Sequence, residues 1–450
     1  MGTKAVEVVA EIVADYERRT PASHALFHRA RRSLVSGTTG NLRHFDPYPL
    51  YFDSGEGVHV TDADGHRYLD CFLGNGPLLL GHNHPEVMDS IARHLRRGLL
   101  LVNPSLAADV AERVMDAVPC AESVRFLNSG SEATMTAVRC ARAYTGRPVV
   151  VKFFGHYHGQ DDQFLVGVGP TRAAMGAGVS DAAVADTRTV SFRDLASLGS
   201  TLARRDVAAV ILDPAMHVGG LWGSDHAHLS AIRDLCGRHG TVLIFDEVIT
   251  GFRLARGGAQ EFYSVVPDLA VFAKALSAGE KLSAVAGRAE ILEVTAPDPS
   301  GRRAQVFQSG TTNDGTVALA AADAALQVYR TMDVRGGAYA AVEGLANRLA
   351  DGLIRVFADH QIPLHVNHIG SMLQLFVTDA VPDFETYASL DMTLVESFYL
   401  AMISEGILLS LPGSNHVYLS LLHDDTHIDA ILEAAEQVLT RYDLARVTPG

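Results

Sequence analysis

The middle of this chain alternates short apolar runs with longer helical patterns, and that alternation restricts its fold more than any other feature. Ser123–Leu127, Val149–Phe153, Val207–Leu212, Thr241–Phe245 and Leu269–Ala273 read as strands, while Glu132–Tyr144, His226–Arg238 and Thr316–Tyr329 carry helical spacing. Strands that are apolar throughout and separated by helices form a mainly parallel sheet covered on both faces. After about residue 335 the pattern changes. Helical stretches at Tyr339–Ala358, Met392–Glu405 and Thr426–Arg441 surround short strand candidates at Ser371–Val377 and His416–Ser420. The chain opens with an amphipathic helix over Met1–Tyr16, passes through a loop rich in Gly and Pro, and reaches a hairpin over Gly57–Asp70 with Asp64-Gly65 at its turn. The expected architecture is α/β. A large domain covers 76–332, a smaller α+β domain covers 333–450, and an N-terminal segment, 1–75, packs with the small domain.

With 450 residues, 48% of them hydrophobic, the chain can bury a sizeable core. A formal net charge of −15 repels phosphate backbones, which argues against nucleic-acid binding but permits a local cationic pocket. Cys71, Cys120, Cys140 and Cys236 are scattered, with no pair at metal-ligand spacing. So few cysteines in so long a chain make a disulfide framework improbable and point to the reducing cytoplasm. Glu7, Glu11 and Asp15 interrupt the first apolar stretch, unlike a signal peptide, and no uncharged run reaches membrane-spanning length.

Four segments carry chemistry, each with a plainer reading beside it. Asn128-Ser129-Gly130-Ser131 joins a strand to a helix. Unpaired amides, the helix dipole and two hydroxyls make a phosphate cradle there, although Ser129 or Ser131 would equally serve as an ordinary N-cap with Glu132 in the first turn. Asp246-Glu247 follows a strand, where α/β sheets collect ligands and where a solvated loop acid also fits. Lys274 has apolar neighbours in VFAKALSA, so desolvation would favour the neutral amine of a Schiff-base nucleophile unless its ammonium reaches water. In Phe154-Gly155-His156-Tyr157-His158-Gly159 an aromatic ring between glycines offers a stacking surface. The His-x-His spacing there, like His82/His84, His226/His228 and His423/His427, is better explained by satisfied loop histidines than by a metal, and no metal is expected. A phosphate cradle, a stacking ring, an acid and an activated lysine together match the needs of pyridoxal 5′-phosphate (PLP).

The blocks RFLNSGSEATMTAVRCARAYTGR (125–147), KFFGHYHG (152–159), LIFDEVITGFR (243–253) and PDLAVFAKA (267–275) resemble the class III PLP-dependent aminotransferases of fold type I, in the branch around glutamate-1-semialdehyde 2,1-aminomutase. The likeness runs from about Arg31 to the C-terminus. It implies that Lys274 holds the cofactor as a Schiff base and shuttles the proton, and that Asp246 pairs with the pyridine nitrogen. It also implies that Val248 packs on one ring face and Tyr157 stacks on the other, with His158 among the cofactor-binding residues. Ser129, Gly130 and Ser131 would hold the phosphate. Thr311, in QSGTTNDG (308–315), would reach the phosphate of a neighbouring subunit, which implies a homodimer with shared active sites. Arg43 matches a position that grips the substrate carboxylate, for which a guanidinium is apt.

Departures from that branch concentrate on the substrate side. Asn75 stands where the aminomutase has tryptophan, Asp213-Pro214 replaces Glu-Pro, and Val218 replaces an asparagine. Glu280 and Lys281 enter the stretch after the lysine, Asp314-Gly315-Thr316 replaces Gly-Asn-Pro, and a C-terminal glutamate aligns near Asn415. The mobile-loop region, Val166 to Ala177, has no close match. An aminomutase must retain its intermediate behind a closed loop. The expected reaction is therefore transamination between a carboxylated amine, a β-amino or aromatic D-type substrate included, and a keto acid, with the aminomutase reaction or a racemase or decarboxylase outcome as alternatives.

Overall fold

The computed structural model describes residues 3–168, 175–301, 305–379 and 383–447. Two compact units emerge: Pro85–Gly337, and the combination of Met1–His84 with Ala338–Gly450. The divisions fall at 84 and 337 rather than at 75 and 332. The second has a simple cause, because helix Thr316–Gly336 runs past 332 and stops only at Gly337 in the left-handed region.

Pro85–Gly337 is built on seven strands: β1 Ser123–Leu127, β2 Val149–Phe153, β3 Thr187–Val190, β4 Val207–Leu212, β5 Val242–Asp246, β6 Leu269–Phe272 and β7 Ser283–Gly287. Their order across the sheet is β1-β7-β6-β5-β4-β2-β3. The β2–β6 pairings are parallel, and β7 alone runs antiparallel to both neighbours, β1 and β6. All six parallel strands therefore end at one edge of the sheet, where β7 begins. Strands β2, β4, β5, β6 and β7 are buried at every position, as expected for a sheet covered on both faces. Strand β3 and strand β7 had no expectation from sequence: three of the four residues of TRTV are polar, and SAVAG lacks the bulky residues that mark strands.

Asp268 locks the far end of this sheet. Its carboxylate accepts from Arg233 Nη1 at 2.8 Å, Arg288 Nη1 at 2.9 Å and Leu243 N at 2.8 Å, which ties the start of β6 to the start of β5. Ala141, Ala137, Ala133 and Val138 of helix Gly130–Thr145 pack with Ile211, Ile244, Val271 and Val285 of the sheet in one buried cluster.

In the other unit, strands Phe52–Glu56, His59–Asp62, Arg67–Asp70 and Ile407–Leu408 form one sheet, and His365–Ile369, Met372–Phe376 and Val417–Tyr418 a second. The hairpin turn has the expected chemistry: Asp62 accepts from the amides of Asp64 and His66 at 3.0 and 2.8 Å, and Gly65 takes φ +85°. Helix Thr3–Arg19 buries Val8, Ile12 and Tyr16 in the same core as Phe398, Ile431 and Val438. Asp15 fastens that helix by accepting from the Tyr442 hydroxyl at 2.5 Å and pairing with Arg441. Helix Pro21–Ala30, begun by a proline at its first position, lies within what the sequence suggested was loop. Among the described residues no helix is long and apolar enough to cross a membrane.

Candidate active site

Ligands of open α/β sheets bind beyond the carboxyl ends of the strands, and the sequence-derived candidates cluster there. β1 ends at Leu127, and Ser129 is the N-cap of helix Gly130–Thr145. Its hydroxyl accepts from Glu132 N at 3.3 Å, while Glu132 Oε2 accepts from Asn128 N and Ser129 N at 2.8 and 3.2 Å. The cap and the cradle are thus the same residues. Capping takes up the amides before the helix, whereas the N–H groups of Gly130 and Ser131, at the first two helical positions, cannot pair within it. A Cβ on Gly130 would stand 3.0 Å from Val248 Cγ2, so glycine lets this turn sit against the loop after β5. Gly159, at φ +94°, presses the loop after β2 onto Ser131: a Cβ there would lie 2.5 Å from Ser131 Oγ. Ser131 Oγ accepts from Gln160 N at 3.1 Å, which leaves its own proton to donate. Ser283, which opens β7, donates to Ser129 O at 2.7 Å and steadies the turn.

Asp246 is the last residue of β5 and only 6% exposed. Its Oδ2 lies 2.7 Å from His158 Nδ1, and its Oδ1 accepts from Val248 N at 3.2 Å. Asp213, immediately after β4, turns back to accept the amides of Ala215 and His217, both at 2.9 Å. Burial pushes both carboxyls up to about 7, and the Asp246 charge adds to the rise at Asp213. Glu247, the other half of the acid pair, points away into a structural nest: it accepts from Ala259 N at 2.6 Å, Gln260 Nε2 at 3.0 Å and Thr250 Oγ1 at 3.1 Å.

Lys274 follows β6 at φ +47°, a left-handed conformation that costs a side-chain-bearing residue about 1–2 kcal/mol. Burial pushes its amine down to about 8, helped by the Arg253 guanidinium and opposed by the carboxylates of Asp246 and Asp213. Tyr157 remains 39% exposed, and its phenol is raised first by burial and then by the Asp246 charge. Ser129, Gly130, Ser131, Tyr157, His158, Asp246, Val248 and Lys274 therefore share one edge of one sheet. Thr311 is exposed on a turn held by its neighbours, with Thr312 Oγ1 donating to Asn128 Oδ1 at 2.8 Å and Asn128 Nδ2 donating to Asn313 at 2.9 Å.

Arg43 and Asn75 belong to the other unit. Arg43 is exposed and donates to Thr39 Oγ1 at 3.0 Å; Asn75, at φ +72°, accepts from the Tyr418 hydroxyl at 3.0 Å. Asn415 is buried there, with Oδ1 accepting from Tyr399 at 2.6 Å and Nδ2 donating to Leu375 O at 3.0 Å. Part of the Val166 to Ala177 stretch, residues 169–174, lies outside the described residues. Arg253, Ser283 and Lys152 were not among the residues expected at the site. The one available signal was a basic residue inside an otherwise apolar strand, VVVKF. Neither His156 nor His158 takes part in a metal cluster, since among the described residues no group of three or more His, Cys, Asp or Glu could hold an ion.

This donor set fits PLP. Two unpaired helix-start amides and a hydroxyl suit a phosphate, a buried carboxylate suits a pyridinium, an open aromatic ring suits stacking, and an amine with a lowered pKa suits an aldehyde. Sheet order and site together define a PLP-dependent enzyme of fold type I. The family model for aminotransferase class-III matches residues 43–439, and the chain belongs to that family. It is 37% identical over 93% of its length, and 99% of the relative's, to glutamate-1-semialdehyde 2,1-aminomutase of Methanothermobacter thermautotrophicus. Among solved structures, a transaminase with PLP bound is 28% identical at a TM-score of 0.85, with 95% of this chain and 99% of that one covered. A β-phenylalanine aminotransferase from Variovorax paradoxus is 26% identical at a TM-score of 0.85, with 97% and 98% covered. PLP is accordingly the cofactor, and the chain is an enzyme of amino-group transfer.

Proposed function

We propose that this enzyme is a transaminase that moves an amino group between a carboxylated amine and a keto acid, with Lys274 as its reactive amine. The observation that carries the reading is Lys274 itself: strained backbone, an amine lowered to about 8, and two buried carboxylates within electrostatic reach. Bound PLP supplies an aldehyde that bonds to amines and a protonated ring that draws electrons from the substrate carbon. The protein does the rest. Lys274 anchors the cofactor and then carries the proton to and from the substrate carbon. Asp246, held by His158 and the Val248 amide, would meet the ring nitrogen as an anion. Tyr157 and Val248 would hold the two faces of the ring. The amides of Gly130 and Ser131, with the hydroxyls of Ser129 and Ser131, receive the phosphate.

The working unit is a homodimer in which Thr311 reaches the partner's phosphate. Apolar side chains left in water support this, notably Val102 at 94% and Phe307 at 80% exposed, with Leu99, Leu100 and Leu101 beside Val102. Four free, buried cysteines suit the cytoplasm.

A second reading, intramolecular amino transfer, draws on the near full-length similarity to an aminomutase. Against it, Asn415, near which the aminomutase glutamate aligns, has both ends of its amide bonded in the core. The test supplies α- and β-amino acids with 2-oxoglutarate or pyruvate and measures keto product. Efficient isomerisation of glutamate 1-semialdehyde, with no use of an external acceptor, would reverse the order of the two readings.

A further inference from the structure

Two buried nitrogens behind Asp246 lack partners. His156 and His158 are both almost fully enclosed, and the Nε2 atom of each makes no hydrogen bond with the protein. Their ring centroids lie 5.9 Å apart at an interplanar angle of 46°. The other nitrogen of each ring fixes the tautomer. His156 Nδ1 accepts the N–H of Asp213 at 3.1 Å, so its proton sits on Nε2. His158 Nδ1 lies 2.7 Å from a carboxylate oxygen, so it donates and its Nε2 is bare. One neighbour thus holds an unpaired donor and the other an unpaired acceptor.

Each orphaned atom costs about 1–3 kcal/mol, and complementary ones relieve that cost by sharing a water. Lys152 supplies a third polar group. Its Nζ donates to Phe164 O at 2.9 Å and Val166 O at 2.7 Å, burial pushes the amine down to about 7, and its protonated form has a third proton to give. Its charge acts on both imidazoles, which burial already holds neutral. Three partners are the usual complement of a buried water. Phe153, Phe164 and Phe192 pack around the rings at centroid distances of 5.5, 5.9 and 4.9 Å, and beyond Phe192 stand the Arg193 guanidinium, 5.9 Å from its ring, and His228, at a centroid distance of 4.9 Å. Asp213, through its amide, and Asp246, through its carboxylate, are the acidic residues bonded to the two rings.

We propose that His156, joined to His158 through one buried water that Lys152 also contacts, is a positioning residue for Asp246. The chain keeps the His158 proton on Nδ1. Asp246 then retains a fixed donor, and its remaining lone pairs serve the cofactor's ring nitrogen. The inference rests on the cofactor site proposed above, but its test reads protons rather than turnover.

His156→Asn keeps an acceptor where Nδ1 lies and deletes the Nε2 donor, whereas His156→Gln returns a donor near Nε2. In the holoenzyme the visible absorbance of the cofactor is titrated against pH. The midpoint is expected to move by about 1 unit in His156→Asn and to return to within about 0.3 unit of wild type in His156→Gln. Independently, ¹⁵N-histidine spectra of wild-type holoenzyme are expected to show neutral Nε2–H at His156 and neutral Nδ1–H at His158. An unmoved midpoint in folded His156→Asn, an equal shift in both variants, or one tautomer at both rings overturns the proposal. Should His156→Asn fail to fold, the wild-type tautomers decide. A holoenzyme with these tautomers but no transaminase turnover would count against the reaction assigned and leave this inference standing.

Discussion

Replacing Asp246 with asparagine is expected to stabilise the protein without its cofactor while abolishing useful turnover. Burial moves this carboxyl from 3.8 to about 7. A rise of roughly 3 units corresponds to about 4 kcal/mol at about 1.4 kcal/mol per unit. The sign follows from proton binding. Between about 4 and 7 the unfolded chain has released this proton and the folded chain has kept it, so stability falls as pH rises through that window and stays reduced above it. Asparagine removes the buried charge but gives up the charge-assisted bond from His158, worth about 1.5–3 kcal/mol. The net gain at pH 8 is therefore about 1–2.5 kcal/mol, and part of the rise at Asp213 disappears with it. At pH 5 the wild-type carboxyl is itself neutral, so the advantage vanishes. Urea denaturation of both apoproteins at pH 5 and pH 8, at one protomer concentration, measures this. If Asp246→Asn is no more stable than wild type at pH 8, or gains equally at pH 5, the claim that this acid is held charged at a cost is wrong.

Lys274→Ala should lose at least about 10⁴-fold in turnover, and its cofactor should dialyse away because no covalent amine remains. In the wild-type apoprotein, covalent capture of PLP should rise with pH around a midpoint near 8 rather than 10.5, as stopped-flow absorbance would show; a midpoint above 10 contradicts the desolvated amine. Gly130→Val should weaken cofactor retention about tenfold or more by thrusting a branched side chain at Val248, read by equilibrium dialysis of the folded variant. Asp268→Ala should cost about 2–4 kcal/mol in urea denaturation by leaving two arginines and Leu243 N without their acceptor; a change under about 0.5 kcal/mol would mean the lock is ornamental.

What the sequence disclosed and what it hid have separate physical causes. Strands β2 and β4 were legible to the residue because runs that are almost or wholly apolar, VVVKF and VAAVIL, have few alternatives to a covered sheet. β7 was hidden because Ser283–Gly287 earns its place through antiparallel pairing with β1 and β6, a long-range property that composition does not carry. Thr311 aside, the cofactor candidates were legible because each stands at a strand's carboxyl end or within five residues of it, a position that local pattern reveals. His156 and Lys152 were not, because their meaning lies in which buried atom is left unpaired, and that depends on three strands at once. Arg253 was passed over inside a motif already quoted, since a sequence does not reveal that a guanidinium is enclosed beside a lysine.

The apoprotein holds several groups in states they would not choose alone: Asp246 charged against burial, Lys274 on strained backbone with a suppressed charge, and two helix-start amides without acceptors. PLP offers each of them its complement, so part of its affinity is relief of costs the fold already carries. That relief has a pH signature. The ring-nitrogen proton offsets only an ionised Asp246, and the carboxyl ionises on its own only above about 7. The stabilisation of holoenzyme over apoprotein should therefore widen as pH rises from 5 to 8, by up to about 1.4 kcal/mol for each unit by which cofactor lowers the Asp246 pKa. Parallel denaturation of the two forms across that range measures it. A gap that is flat or narrowing, with cofactor fully bound throughout, would mean that Asp246 is not the group answering the ring nitrogen.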